Sequence, residues 1–220
     1  MRQSDISVVF DMDGTIFDTE RLVLDCWEQV GERHGIPGIR EVFMRCIGTN
    51  NVRTQEIVYE HYGKDFPYEK FREESSVQFH EIADTQGIPV KRGAAELLKY
   101  LSENKVPLGL ASSTRLAVVT QELQAAGLYD YFQVVVGGDL LKNSKPAPDI
   151  YLMTCERMDV LPENTYAIED SYNGIRSAYS AGMRPIMVPD LMPGTEEMRK
   201  LSERVFTDLL QVKEYFEGIR

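Results

Sequence analysis

The 220-residue chain carries 24 Lys and Arg against 35 Asp and Glu, a net charge of −11, with 43% hydrophobic and 27% charged residues, which allows one substantial core or one core plus a small insertion. The acidic balance weighs against a nucleic-acid partner, whose backbone repels such a surface, and no apolar run reaches the roughly 20 residues a membrane-spanning helix needs. Cys26, Cys46 and Cys155 are odd in number and far apart, which suits reduced thiols and not a disulfide framework. The first seven residues are polar and charged and run straight into an apolar stretch, leaving no room for a signal peptide, so the expectation is a cytoplasmic protein without membrane partners.

Residues 6–10 are the first expected strand, and they lead into Asp11-Met12-Asp13-Gly14-Thr15. In an extended chain the aspartates flanking Met12 point the same way, and the glycine lets the backbone turn directly afterwards. The C-terminal end of a strand is where open α/β sheets put their sites, and two carboxylates there suit a divalent cation and an attacking carboxylate. Alone, Asp-x-Asp-Gly could equally be a polar turn or part of a calcium loop, but Thr15, Ile16 and Phe17 do not supply the further oxygens a calcium loop requires.

From about residue 18 to 88 the periodicity is helical throughout, far longer than an ordinary crossover between strands. The stretch reads as an inserted helical domain, its last helix over 68–83 with Tyr68, Phe71, Phe79 and Ile82 near one face. Residues 1–17 and 89–220 then form the other domain, and the two chain crossings make a natural hinge. Beyond the insertion, strands are expected at 106–111, 132–137, 165–168 and 184–188, with 205–207 a candidate for one more short strand before a terminal helix. A helix over 116–126 repeats Leu116, Val119, Leu123 and Ala126 and stops at Gly127, and one over 173–181 stops at Gly182. Alternating strands and helices predict an α/β fold, a doubly wound parallel sheet.

Four signals fall in order at strand ends over nearly the whole chain: Asp11-Met12-Asp13-Gly14-Thr15; Ala111-Ser112-Ser113; Ser144-Lys145-Pro146-Ala147-Pro148-Asp149; and Ile168-Glu169-Asp170-Ser171. Together they resemble the haloacid dehalogenase superfamily, in its phosphatase and β-phosphoglucomutase-like branch with a helical cap. The resemblance implies a Rossmann-like sheet of order 3-2-1-4-5, with Asp11 and Asp170 facing each other at the switch point. It implies Asp11 as nucleophile and Asp13 as the acid and base of phosphoryl transfer. It implies Mg²⁺ bound by Asp11, the backbone carbonyl of Asp13 and Asp170, with Glu169 supporting the ligands instead of touching the metal. Ser112, the amide of Ser113 and Lys145 are the expected phosphate binders, Lys145 supplying the local positive charge that an acidic protein must concentrate to handle an anion. Ser-Ser-Thr taken alone is more often a helix cap, and only its place in the ordered set favours the phosphate role.

The resemblance also separates the branches. Asp13 weighs against dehalogenation, which has no leaving oxygen to protonate. A β-phosphoglucomutase would carry a histidine where this chain has Val23, a lysine where it has Ile47 and an arginine where it has Asn51, and Arg53 could substitute only in a different helix register. Hydrolysis of a small phosphorylated metabolite, a sugar phosphate first, therefore leads, with a phosphosugar mutase as one alternative and a phosphometabolite-binding protein without turnover as another. Thr19, Asn50, Asn51, Arg53 and Arg115 are candidates for substrate specificity by position, each equally placed to be solvated surface. His34, His61 and His80 all fall in the insertion and are expected to pack or face solvent, and the default assembly is a monomer.

Overall fold

The computed structural model describes residues 6–47, 49 and 51–219, and these divide into two compact units, one of 6–18 with 90–219 and the other Thr19–Pro89. The first unit is built on strands β1 (Ser7–Phe10), β2 (Leu108–Ser112), β3 (Val134–Gly137), β4 (Thr165–Glu169), β5 (Arg184–Met187) and β6 (Arg204–Val205). All pair in parallel, in the order β3-β2-β1-β4-β5-β6. The expected 3-2-1-4-5 order thus gains a sixth strand at its edge. That strand is two residues long and begins one residue before the expected 205–207 segment, but the ladder continues past it through Phe206 N–H to Met187 C=O at 2.9 Å. β2 starts at Leu108 and not at residue 106, because Pro107 has no N–H to give the ladder and only accepts, from Val8 N–H at 3.0 Å. β4 runs one residue further than expected, to Glu169.

Parallel strands buried on both faces read as continuous apolar runs, and β1, β2 and β4 are buried at every position. Side chains alternate between faces. Val9, Ala111 and Ala167 share a core with Ile150, Tyr151 and Met158 of α7 (Asp149–Met158) and Ala178 of α8 (Tyr172–Ser180). Tyr166 turns to the other face, edge-on to Phe216 of α10 (Leu209–Gly218) at 5.1 Å between centroids, and α10 packs on α5 (Ala94–Glu103). The sheet unit also contains α6 (Leu116–Ala125), against β3, and the short α9 (Glu196–Leu201), against α8. Gly127 and Gly182 stop α6 and α8 with positive φ, where a side chain would be strained.

The second unit contains α1 (Thr19–Arg33), α2 (Ile39–Cys46), α3 (Asn51–Tyr62) and α4 (Tyr68–Gln86). Its core centres on Trp27, which meets Phe43 and Phe71 edge-on, each at 5.2 Å. α4 continues three residues beyond the expected end, to Gln86, and the Gly87 that follows has a positive φ and returns its N–H to Ala83 C=O at 3.1 Å. Tyr68 and Phe71 are buried, whereas Phe79 and Ile82 are only half-buried. The three cysteines are buried and free, and among the described residues no helix is long and apolar enough to cross a membrane.

Candidate active site

Because β1 lies between β2 and β4 and all three run the same way, their C-terminal ends meet at one edge, where the strand order reverses. Phe10 is in register with Leu110 and Ile168, so Asp11 follows beside Ala111 and Glu169, its N–H on Ile168 C=O at 2.9 Å. The chain then turns on itself: the N–H groups of Ile16 and Phe17 both reach Met12 C=O, at 2.8 and 3.0 Å, and Gly14 N–H reaches Phe17 C=O at 2.8 Å. Gly14 has φ +79°, and a Cβ there would overlap the Asp170 carboxylate. Only glycine satisfies both demands.

Lys145 enters this edge from the segment between β3 and α7, across a cis Lys145–Pro146 peptide. Its ammonium donates to Asp11 Oδ1 at 2.5 Å, Glu169 Oε1 at 2.6 Å and Ala111 C=O at 3.1 Å, which uses all three of its donors. Burial works against its charge, but the carboxylates of Asp11 and Glu169 hold it protonated, above the ordinary lysine range. Burial pushes the Asp11 carboxyl up; Lys145 pulls it back, and the negative charges of Glu169 and Asp13 push it up again. Among the described residues the Asp11 carboxylate accepts only on Oδ1, from Lys145.

Glu169 is completely buried and fully engaged. Besides Lys145 it accepts from Tyr151 O–H at 2.7 Å, Ser171 N–H at 3.2 Å and Ser171 O–H at 3.0 Å. A Cβ on residue 174 would collide with this carboxylate, so Gly174 leaves the space it needs. Burial, then the charges of Glu169 and Asp11, raise Tyr151 well above the usual phenol range, keeping it a neutral donor.

Asp13 turns a different way. Its Oδ2 accepts from Thr114 O–H at 2.9 Å and Ser112 O–H at 3.3 Å, while Ser112 Oγ accepts from Thr114 N–H at 3.0 Å. The oxygens that come together, all within 4.8 Å of one another, belong to Asp11, Glu169 and Asp170. With Asp13 the edge gathers four carboxylates, two of which, Asp11 and Glu169, share the Lys145 ammonium. Hard oxygen donors carrying surplus negative charge fit a divalent cation such as magnesium, and Glu169, already saturated by four donors, fits the supporting place.

The structure therefore brings Asp11, Asp13, Ser112, Lys145, Glu169 and Asp170 to one edge. Ser113 is exposed beside Ser112, and Arg115 is exposed just before α6. In the helical unit Thr19 is buried, Asn51 is exposed, and Arg53 is ion-paired to Glu56 and Glu60, both at 2.9 Å; Asn50 lies outside the described residues. Thr114 and Tyr151 were not singled out from the sequence. Thr114 adjoins a motif that was, whereas nothing along the chain links Tyr151 to residue 169.

A family model described as haloacid dehalogenase-like hydrolase matches residues 8–188. The chain belongs to that family. Among haloacid dehalogenase-like proteins it is 34% identical to a phosphorylated carbohydrates phosphatase from Thermotoga maritima, over 82% of this chain and 83% of that one. It is 30% identical to a β-phosphoglucomutase from Bacillus subtilis, over 85% and 84%. The crystal structure of CbbY from Rhodobacter sphaeroides in complex with phosphate superposes with a TM-score of 0.71 at 25% identity, over 94% of this chain and 95% of that one. As a member of this family the protein is an enzyme, a phosphoric monoester hydrolase.

Proposed function

We propose that this hydrolase is a magnesium-dependent phosphatase of a small phosphorylated carbohydrate, working through a phosphoryl group carried on Asp11. The observation that carries the reading is the asymmetry of the Asp11 carboxylate, whose Oδ1 is anchored on Lys145 while its hydrogen bonds leave Oδ2 to act. A phosphate monoester repels nucleophiles, so the site must align the attacker and offset charge. Asp11 and Asp170, with the carbonyl of Asp13, would hold Mg²⁺, which supplies charge neutralisation at the phosphoryl oxygens.

The chain's own residues carry the rest. Asp11 Oδ2 attacks phosphorus in line, forming an O–P bond as the bond to the leaving sugar oxygen breaks. Asp13 gives that oxygen its proton and, as a carboxylate, then takes one from the water whose oxygen displaces Asp11 and releases phosphate. Thr114 fixes the Asp13 carboxyl for both transfers. Ser112 and the Ser113 amide hold the phosphoryl oxygens, while Lys145, its three donors committed, adds positive charge beside them and keeps Asp11 aligned.

The carbohydrate class is supported by the similarity to the Thermotoga phosphatase. Similarity to a β-phosphoglucomutase favours a mutase as second reading. A mutase must grip a second phosphate, and the residues at Val23, Ile47 and Asn51 are uncharged while Arg53 is committed to Glu56 and Glu60, so hydrolysis is the better supported. The test is a panel of phosphorylated sugars and sugar alcohols with Mg²⁺, following phosphate release, alongside conversion of β-glucose 1-phosphate to glucose 6-phosphate with a bisphosphate primer. The expected result is phosphate release that EDTA stops and Asp11→Asn lowers by on the order of 10⁴-fold or more. Isomer conversion without phosphate would establish the mutase, and tight binding without turnover would leave only a binding protein.

A further inference from the structure

A second buried carboxylate stands beside Asp170. Asp190 lies two residues past Val188, whose N–H continues the β4–β5 ladder onto Glu169 C=O at 2.7 Å, so the sheet itself delivers Asp190 to the edge that holds the site. Its side chain is 3% exposed, and Oδ1 accepts from Lys91 Nζ at 2.5 Å. Lys91 also reaches Asp18 Oδ1 at 3.4 Å, so one ammonium serves two carboxylates. Asp190 Oδ2 is buried and has no hydrogen-bond donor among the described residues. Asp190 and Asp170 each offer an oxygen within 4.8 Å of the other.

A buried carboxylate oxygen without a donor is costly, and a hydrogen-bonding partner next to Asp170 would remove that cost. Magnesium keeps several of its waters, at about 2.0–2.1 Å, and a water bound to a cation is a strong donor. We infer that Asp190 is a positioning residue for the metal, accepting through Oδ2 a hydrogen bond from a water ligand of the cation that Asp170 binds. This rests on the metal reading proposed above. Lys91 fixes the orientation by occupying Oδ1, so the free oxygen faces one way.

The experiment measures binding of Mn²⁺, as a paramagnetic stand-in, to the resting enzyme without substrate, by EPR of the free ion and by calorimetry. In Asp190→Asn the amide oxygen turns to Lys91 and its NH₂ confronts the hydrogens of the water, so the expected Kd rises about 10- to 100-fold. Asp190→Ser, smaller and neutral, gives the same result should the amide disturb folding. Asp18→Asn, which touches the same lysine without the buried free oxygen, changes Kd by less than about twofold. Wild-type Kd in both Asp190 variants, with only the metal-free melting temperature lowered, would overturn the inference and leave Asp190 a structural ion pair. Failure of both to fold while Asp18→Asn folds would overturn it likewise. Absence of Mn²⁺ and Mg²⁺ binding by the wild type would instead overturn the metal reading, and this inference with it.

Discussion

At the scale of single residues, the site depends on one buried ammonium. Lys145 has an acceptor for each of its three donors, and without it Asp11 and Glu169 would be two buried carboxylates facing each other. Removing one partner of such a pair costs more than the pair contributes, because the remaining charge is uncompensated. Lys145→Met is expected to destabilise the fold by about 3–5 kcal/mol in urea denaturation; a change within error would mean the ion pairs are not formed. Thr114 gives a gentler test, since its hydroxyl holds Asp13 and touches none of the other carboxylates described at the site. Thr114→Val should lower kcat by about tenfold, a charge-assisted hydrogen bond of some 1.5–3 kcal/mol being partly replaced by Ser112 and water, while KM stays near wild type. A rise in KM with unchanged kcat would place Thr114 in substrate binding instead. Asp11, Asp13 and Lys145 were legible because each sits in a short motif whose chemistry is unusual for its position. Thr114, Tyr151, Lys91 and Asp190 were not, since a threonine, a tyrosine, a lysine and an aspartate acquire their meaning only from partners distant along the chain, such as Tyr151 with Glu169 and Lys91 with Asp190.

At the scale of elements, strand ends make the site and helices tune it. Apolar runs closed by polar residues gave the strands away in the sequence, and the errors have local causes. Pro107 cannot donate to the ladder and shortens the start of β2, and β6, expected at 205–207, begins one residue earlier and is only two residues long. α6 brings Glu122 toward the site half-buried; burial, and then the charge of Asp13, push its carboxyl up to about 7. The folded pKa is thus above the ordinary value of 4.5. The folded state holds this proton more tightly than the unfolded one, so the stabilisation is complete below pH 4.5, declines as pH rises and is gone above about 7. Glu122→Gln should therefore gain melting temperature relative to wild type between pH 4.5 and 7 and keep a constant advantage beyond. Parallel melting curves across that window would show that Glu122 titrates normally.

At the scale of the whole molecule, the long helical stretch was plain in the sequence because an ordinary crossover needs far fewer residues. In the structure the sheet unit holds both chain crossings together itself: Phe17 and Val90 form an antiparallel bridge, and Lys91 N–H reaches Ile16 C=O at 2.8 Å. Bridge partners lie only about 4.5–5.5 Å apart at Cα. We therefore expect that replacing residues 19–89 with a short Gly-Ser link leaves a sheet unit with a cooperative thermal melt; a gradual, non-cooperative loss of signal would show that the sheet needs the helices to fold. Substrate choice was the part least legible, since neither periodicity nor motif spacing specifies which sugar the residues around a catalytic edge would admit. The phosphoryl transfer to Asp11 is the central claim, and it has a direct test. The enzyme is quenched with borohydride during turnover of a phosphorylated sugar, which reduces an acyl phosphate and leaves ordinary carboxylates unchanged, and the peptide carrying residue 11 is read by mass spectrometry. Reduction confined to Asp11 and dependent on substrate is the expected result; turnover with an unmodified Asp11 peptide would contradict it and point to direct attack by water.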